Sequence, residues 1–137
     1  MRVLGLDVGE KRVGLAVSDP MGWNAHSHSV MPRSNEEKEL AYLQQVCQEM
    51  EITQLVSGLP KNMDGTIGAK ALEVREYSER MAALLQLPLD FMDERLTTVS
   101  AHKVLLEADL SRKKRRGVVD KVAAAYILQT WLDRQNR

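Results

Sequence analysis

Two apolar segments near the start of the chain, Val3–Gly9 and Arg12–Ser18, are each long enough to form a buried strand. They are joined by the turn Gly9-Glu10-Lys11, and glycine is the usual residue where a tight hairpin reverses direction. A third strand is predicted over Ala25–Val30, where small or apolar residues alternate with polar ones. The chain therefore begins with three strands that we expect to pair in antiparallel fashion.

The next apolar positions recur at the spacing of a helix. Ser34 with Glu37 three residues later is a capping-box pattern, and it predicts the start of an amphipathic helix. The apolar stripe of this helix covers 40–50. The short apolar segment Ile52–Leu59 then predicts a further strand.

A longer amphipathic helix is predicted from about Ala69 to Leu87, because it has both an apolar and a charged face. Pro88 ends this helix, since proline cannot continue the helical hydrogen bonds. The following short strand, Leu89–Met92, delivers Asp93 and Glu94 at its carboxyl end.

Two further helices are predicted in the last third of the chain. Thr97 or Thr98 can cap the first, which runs to about Asp109, and the second covers Val118 to about Arg134. The basic run Arg112–Arg116 is expected to separate them as a loop. Three early strands followed by alternating helices and strands predict an α/β sheet with an antiparallel leading edge.

Length and composition fit one compact domain spanning residues 1–137, because 137 residues with 44% hydrophobic content can enclose a single core. The 19 basic and 19 acidic side chains cancel, so the net charge does not indicate a polyanionic partner. Cys47 is the only cysteine, which excludes an internal disulfide and favours a reducing compartment; we expect a cytoplasmic protein. Because no apolar stretch reaches membrane-spanning length, no membrane partner is expected.

Asp7 is the first residue that indicates chemistry. A carboxylate inside so apolar a strand is costly to desolvate unless a cation or hydrogen-bond donor meets it. We therefore expect Asp7 to project from the strand end toward a ligand such as a metal. Glu94 and Asp120 can converge with it, which would form a carboxylate site of the nuclease type.

Each of these acids also has a structural alternative. Asp7 can be a structural carboxylate at a strand end. Glu94 can be the ion-pair partner of Arg95 or of a surface lysine, a pairing that usually contributes little. Asp120 can be a first-turn residue that stabilises the helix through its dipole.

Three carboxylates suit Mg²⁺ or Mn²⁺, because these ions prefer oxygen ligands. A pair of such ions about 3.5–4 Å apart activates the attacking water and stabilises the leaving oxygen in phosphodiester hydrolysis. We therefore expect two divalent ions, held by Asp7, Glu94 and Asp120.

Positive charge near the acids indicates a nucleic-acid partner. The run Arg112–Arg116 lies shortly before Asp120, and such cations can hold phosphates on either side of a cleavage point. The alternative for the run is a solvated loop without a ligand. The predicted substrate-binding residues are Lys11, Arg12, Asn62, Arg95, Lys113, Lys114, Arg115 and Arg116.

Four motifs follow one another along nearly the entire chain. They are Leu6-Asp7-Val8-Gly9 with Gly14-Leu15-Ala16, Gly58-Leu59-Pro60-Lys61-Asn62-Met63-Asp64-Gly65, Asp93-Glu94-Arg95-Leu96-Thr97-Thr98 and Val119-Asp120-Lys121-Val122-Ala123-Ala124. Together they resemble the motifs of the YqgF (RuvX) family. Members of this family are described both as Holliday junction resolvases and as nucleases that mature the 5′ end of pre-16S ribosomal RNA.

The resemblance implies a ribonuclease H-like fold of the α/β class. Its sheet is a mixed, five-stranded one, with three leading antiparallel strands, then alternating helices and strands, and it is flanked by helices. By motif position, the acids of the family fall on Asp7, Glu94 and Asp120.

The second acid departs from the wider ribonuclease H-like pattern. Related resolvases take it from the strand beside the first, whereas here that strand ends in Gly58-Leu59-Pro60, without a carboxylate. Because strands lie about 4.8 Å apart, Glu94 must reach about 10 Å from the next strand over. Asp64 and Asp93 compete with it for this position. Asn62 and Asp64 either contact substrate or form an Asx-type turn.

The resemblance implies a metal-dependent nuclease, with 5′-end processing of pre-16S rRNA during ribosome biogenesis as its function. The alternative is a Holliday junction resolvase acting on branched DNA, whose two coordinated cuts would require a two-fold dimer. The sequence itself is compatible with a monomer or a homodimer. A second alternative is a non-catalytic RNA-binding factor of the same fold. An ATPase of the actin and sugar-kinase type has a similar first hairpin, but the chain is too short for the two domains that it needs.

Overall fold

The computed structural model describes residues 2–96 and 112–136, and for residues 96 and 112–121 it describes the backbone alone. In chain order the elements are β1 (Arg2–Val8), β2 (Arg12–Ser18), β3 (Ala25–Pro32), α1 (Glu36–Glu49), β4 (Ile52–Leu59), α2 (Ala69–Leu85), β5 (Leu89–Asp93), a 3-10 turn (Glu94–Leu96) and α3 (Arg112–Gln135). None of the described helices has the length and apolar character needed to cross a membrane.

The strands form one five-stranded sheet in the order β3-β2-β1-β4-β5. β1 pairs with β2, and β2 with β3, in antiparallel fashion, whereas β1 with β4 and β4 with β5 are parallel. The predicted mixed sheet with an antiparallel leading edge is therefore confirmed. Because β1, β4 and β5 run in the same direction, their carboxyl ends meet at one edge of the sheet.

One face of the sheet, which we call the helix-pair face, packs against α1 and α2. Successive residues of a strand point to opposite faces, so alternate large side chains of the strands reach this side. They pack with apolar residues of the two helices to form the larger core cluster, which includes Leu4, Leu6, Leu15, Leu43, Leu55, Val74 and Met81.

On the other face, which we call the α3 face, α3 is the one helix among the described residues that packs against the strands. Its cluster combines Val3, Ala16, Val56 and Met92 of the strands with Ala123, Ala124, Ile127, Leu128, Trp131 and Leu132 of the helix. A Cβ atom on Gly5 would lie 2.8 Å from Leu128 Cβ and 3.3 Å from the carbonyl oxygen of Ala124. Glycine at position 5 therefore lets the backbone of α3 come close to the sheet.

The start of α1 differs from the prediction. Asn35, not Ser34, caps the helix, and its side-chain oxygen accepts from the amide of Lys38. The amide of Ser34 instead donates to the carboxylate of Glu39 at 2.7 Å. The capping box of Ser34 and Glu37 was wrong because a buried acid one turn further on competes for the amide of Ser34.

The ends of two other helices also differ. α2 ends at Leu85 and not at about Leu87, because Gln86 adopts a left-handed conformation with φ of 58° and closes the helix. α3 begins at Arg112 and not at Val118, so the basic run lies in a helix and does not form a separating loop. Arginine and lysine are good helix formers, and a single glycine inside the helix costs only about 1 kcal/mol. The predicted helix from Thr97 or Thr98 to about Asp109 lies outside the described residues.

Candidate active site

Asp7 lies near the carboxyl end of β1 and is only 8% exposed. It alternates with Leu6 and Val8, which belong to the helix-pair cluster, so it faces the α3 side. In the sheet it pairs with Gly14 of β2. On the other side Leu6 pairs with Ser57 of β4, so the next residue, Gly58, is the neighbour of Asp7. Asp7 is thus flanked by two residues without side chains.

Glu94 comes from the turn that follows β5, the second strand away from Asp7. Its carboxyl carbon lies 3.3 Å from the place that a Cβ atom on Gly58 would occupy. The carboxylate of Glu94 therefore lies over Gly58, beside the strand position of Asp7. This explains how an acid two strands away approaches the site: the strand between them offers a glycine where a side chain would stand in the way. The lack of a carboxylate on β4 is evident from the sequence, whereas this role of Gly58 is not.

α3 crosses the same region from above. A Cβ atom on Gly58 would lie 2.5 Å from Cδ1 of Ile127, and the carbonyl of Ala124 lies above Gly5. Further along, the indole N–H of Trp131 donates to Asp90, near the start of β5, at 2.7 Å. Residues later in α3 therefore lie nearer the amino ends of the parallel strands, so α3 runs antiparallel to β1.

Asp120 lies within α3, four residues before Ala124, and not in the first turn as one alternative held. Among the side chains that the structure describes, no three or more of His, Cys, Asp and Glu gather into a metal site. The side chain of the third predicted acid lies outside that set, so the three-acid site stays a prediction.

The two competing acids have partners in their own turns. Both oxygens of Asp93 accept from the guanidinium of Arg95, with a shortest distance of 2.7 Å. This hydrogen bonding holds the pKa of Asp93 below its usual value. Asp64 accepts from the hydroxyl of Thr66 at 2.6 Å and from its amide at 3.0 Å, which lowers the pKa of Asp64. The hydrogen bond to the amide two residues on is the Asx-type turn that was one of the alternatives.

Asn62 lies in the same loop, between β4 and α2. Its side-chain N–H donates to the hydroxyl of Thr66 at 3.0 Å, and its carbonyl accepts from the amide of Gly65 at 2.9 Å. These bonds close the loop on itself. At the neighbouring hairpin, Lys11 and Arg12 follow β1 directly, so they lie at the same edge of the sheet as Asp7.

Comparison with known proteins places these observations in a family. The RuvX family model, described as "Holliday junction resolvase", matches residues 1–134. A Syntrophomonas wolfei protein named "Putative pre-16S rRNA nuclease" is 55% identical, over 97% of this chain and 94% of its own length. A Clostridium botulinum protein of the same name is 51% identical, over 98% of both chains.

A solved structure provides the corresponding comparison of folds. T. thermophilus RuvC in complex with a Holliday junction substrate has a TM-score of 0.59, covering 99% of this chain and 96% of that one. The sequences are 15% identical, so the likeness concerns the fold alone. It confirms the predicted ribonuclease H-like fold.

Proposed function

The chain belongs to the RuvX family, and we propose that it is a divalent-metal-dependent nuclease that processes the 5′ end of pre-16S rRNA in the cytoplasm. The family makes the protein a hydrolase of phosphodiester bonds. The observation that carries the proposal is the Glu94 carboxylate over Gly58, beside Asp7, on the face that α3 covers. The names of relatives at 51–55% identity support the rRNA substrate.

The direction of α3 supports Asp120 as the third acid. Asp120 precedes Ala124 by four residues, which is about 6 Å along a helix. Asp7 follows Gly5 by two residues, which is about 6.6 Å along a strand. Since α3 is antiparallel to β1 and Gly5 lies beneath the turn Ala124–Leu128, the step back to Asp120 and the step on to Asp7 lead in the same direction. Asp120 therefore lies toward the edge of the sheet at which Asp7 stands.

The donor set fits a hard divalent cation. Asp7, Glu94 and Asp120 offer only carboxylate oxygens, which are the ligands that Mg²⁺ and Mn²⁺ prefer. Two such ions, when bound, would supply an activated water and stabilise the leaving oxygen. Gly14 leaves one flank of Asp7 without a side chain, so a phosphate backbone can come close on that side.

The cations of the chain would bind the nucleic acid around the cleaved bond. Lys11 and Arg12 lie at the edge of the sheet where β1 ends, and Lys113–Arg116 belong to the first turns of α3, ahead of Asp120. Contacts to phosphates position a substrate but carry no sequence information, and salt weakens them. We therefore expect binding to fall with ionic strength.

A cleavage assay tests the proposal. The wild type, Asp7→Asn and the control Glu73→Gln, which changes an exposed acid of α2, are incubated with Mg²⁺ or Mn²⁺ and a pre-16S rRNA fragment. We expect the wild type and the control to cut only when metal is present. Asp7→Asn should lose more than about a hundredfold in rate, because loss of even an outer-shell partner of a metal site costs 10–100-fold. Cutting that is independent of metal, or unchanged in Asp7→Asn, would contradict the site.

A four-way DNA junction and a linear duplex are included in the same assay. The description of the matching family favours the junction as the second candidate substrate. Selective cutting of the junction by a dimer would assign the protein to branched DNA. If wild type and variant bind the rRNA equally and neither cuts any substrate, the non-catalytic RNA-binding factor is the better assignment.

A further inference from the structure

Arg95 makes an unusually complete set of contacts for a residue so near the candidate site. Its Nη2 donates to Oδ2 of Asp93 at 2.7 Å, and its Nε lies 3.1 and 3.2 Å from the two oxygens of the same carboxylate. This fork of donors against a carboxylate is the stronger, more directional kind of ion pair. Arg95 is thus tied to the last residue of β5.

The other side of the guanidinium faces the loop between β4 and α2, residues 61–67, which we call the β4–α2 loop. Nη1 of Arg95 donates to the carbonyl oxygen of Met63 at 3.2 Å. A Cβ atom on Gly65 would lie 3.3 Å from Nη1, and Gly65 has a φ of +89°, which side chains other than glycine rarely allow. The loop therefore presents a carbonyl and a bare glycine to Arg95.

Hydrogen bonds within the β4–α2 loop link its residues to one another, so a contact at one point restrains the whole loop. Asn62 bonds to Thr66 through both main chain and side chain, and Asp64 accepts from the amide and hydroxyl of Thr66. Arg95 bridges this loop to the end of β5, because it contacts Met63 on one side and Asp93 on the other.

The same contacts act on Glu94, which lies between Asp93 and Arg95 in the chain. The backbone amide of Arg95 donates to Oδ1 of Asp93 at 3.0 Å, so Asp93 holds both the main chain and the side chain of Arg95. The backbone on either side of Glu94 is thus fixed in the turn that carries its carboxylate over Gly58.

We propose that Arg95 is a positioning residue, which clasps Asp93 and the β4–α2 loop to hold Glu94 over Gly58, and that it does not bind substrate phosphate. This inference rests on the proposed nuclease function and replaces the substrate-binding role expected from the sequence. A phosphate would have to compete with a carboxylate that already takes the Nε–Nη2 edge of the guanidinium and with the Met63 carbonyl at Nη1.

Kinetics of four variants test the clasp. Arg95→Lys keeps the charge but loses the planar fork, whereas Arg95→Gln loses both. Asp93→Asn removes the partner, and Arg75→Gln on α2 is a matched control that removes a cation elsewhere. We expect both Arg95 variants and Asp93→Asn to lose about 10–100-fold in kcat, the range for partners that orient a metal ligand. KM and the affinity for nucleic acid should stay within about twofold, and Arg75→Gln should match the wild type.

Two further readouts separate the clasp from a phosphate contact. The double variant Arg95→Gln with Asp93→Asn should be no slower than the slower single variant, because both changes break one unit. The slope of log affinity against log salt should be the same as in the wild type. A slope reduced by about 0.7–0.9 in Arg95→Gln, with full kcat in Arg95→Lys, would instead show a phosphate contact and overturn the clasp.

Hydrogen exchange of the β4–α2 loop provides a measurement that needs no catalysis. In Arg95→Gln the amides of Gly65 and Thr66 should exchange faster than in the wild type and in Arg75→Gln, and unchanged exchange would overturn the clasp. A wild type that cuts no substrate would overturn the proposed function. A wild type that cuts, with Arg95→Gln equally active, would overturn only the role of Arg95.

Discussion

The two faces of the sheet differ in the size of the side chains that the strands present at the centre. The helix-pair face carries large, fully buried side chains such as Leu4, Leu6 and Leu15. The α3 face carries the small residues Gly5, Ala16 and Gly58 on the three neighbouring strands β1, β2 and β4, and α3 lies close to them. The first arrangement gains stability from buried apolar area. The second gives up side chains so that a helix and two acids can approach the same strands.

The polar groups of the two faces also differ: Glu39 on the helix-pair face belongs to a hydrogen-bonded network, and Asp7 and Glu94 on the α3 face belong to the candidate site. On the helix-pair side, Glu39 is only 3% exposed and accepts from Arg33, Ser34 and Tyr77. Arg33 also stacks on the ring of Tyr77 at 4.4 Å and donates to the carbonyl of Gly9. This network joins the hairpin, α1 and α2, and it is structural. On the α3 side, Asp7 near the end of β1 and Glu94 after β5 instead lie on either side of Gly58.

The largest effect is expected from removing bulk on the helix-pair face. Leu6→Ala should lower the free energy of unfolding by about 2–5 kcal/mol, because it removes a completely buried side chain and leaves a cavity. Leu84→Ala, at a position 46% exposed, is the matched control and should cost less than about 0.5 kcal/mol. Urea unfolding measures both; equal losses would contradict the assignment of this core.

Breaking the buried polar network comes next. Burial tends to raise the pKa of Glu39, but the hydrogen bonds from Ser34, Arg33 and Tyr77 outweigh it and hold this pKa below its usual value. Glu39→Gln should cost about 1.5–3 kcal/mol at neutral pH, the range for hydrogen bonds to a charged group.

The loss of stability in Glu39→Gln should depend on pH, because the pKa of Glu39 is lowered in the folded chain. A carboxylate with a pKa lower in the folded than in the unfolded chain adds stability at pH values above its unfolded pKa, about 4.3 for glutamate. This contribution is lost as the pH falls through the folded pKa. The difference in unfolding free energy between wild type and Glu39→Gln should therefore shrink below about pH 4. A difference that grows on acidification would show that the pKa is raised.

On the α3 face, adding a side chain should destabilise the protein, whereas on the helix-pair face removing one does. Gly5→Ala should lower the free energy of unfolding by about 1–3 kcal/mol, because the new Cβ atom would lie 2.8 Å from the Cβ atom of Leu128. A Cβ atom is bonded to the helix backbone, so Leu128 cannot relieve this clash by rotating its side chain. Chemical denaturation provides the measurement. A neutral or stabilising Gly5→Ala would mean that α3 does not lie this close to β1.

The smallest loss of stability is expected at Gly58. Gly58→Ala should cost about 1 kcal/mol, because its clash at 2.5 Å is with Cδ1 of Ile127, the movable end of a side chain. Adding Ile127→Val removes that atom and should restore part of the loss. Cleavage should still be slowed in the double variant, because the Cβ atom also presses on the Glu94 carboxyl carbon at 3.3 Å. Full activity in the double variant would contradict the position of Glu94.

The sequence was sufficient for the features that depend on local pattern. The first hairpin, the strand Ile52–Leu59 and the mixed sheet follow from apolar periodicity and from glycine and proline at the breaks. Features that depend on distant partners were missed. The cap at Asn35 is one, because it depends on Glu39 being held by residues from other elements. The start of α3 is a different kind of error, because the basic run was predicted as a loop although its residues are good helix formers.

In the candidate site, too, some features could be predicted from local motifs, and others depend on contacts between distant elements. Motif order identified Asp7 and Glu94, and the structure brings both to Gly58. The role of Gly58 needs the register of β1 against β4 and the path of the β5 turn, neither of which a linear motif contains. Arg95 was predicted as a substrate contact or as an ion-pair partner of Glu94, whereas its charge is matched by Asp93 two residues earlier. Asp120 stays a prediction from the motif and the direction of α3.

Binding of Mn²⁺, followed by the loss of the EPR signal of the free ion, tests the three-acid site most directly. The wild type and Glu73→Gln should bind the ion equally. Asp7→Asn, Glu94→Gln and Asp120→Asn should each weaken binding by at least the roughly 10–100-fold that even an outer-shell partner contributes. Wild-type affinity for Mn²⁺ in Glu94→Gln or Asp120→Asn would contradict a metal site shared by the ends of β1, β5 and α3.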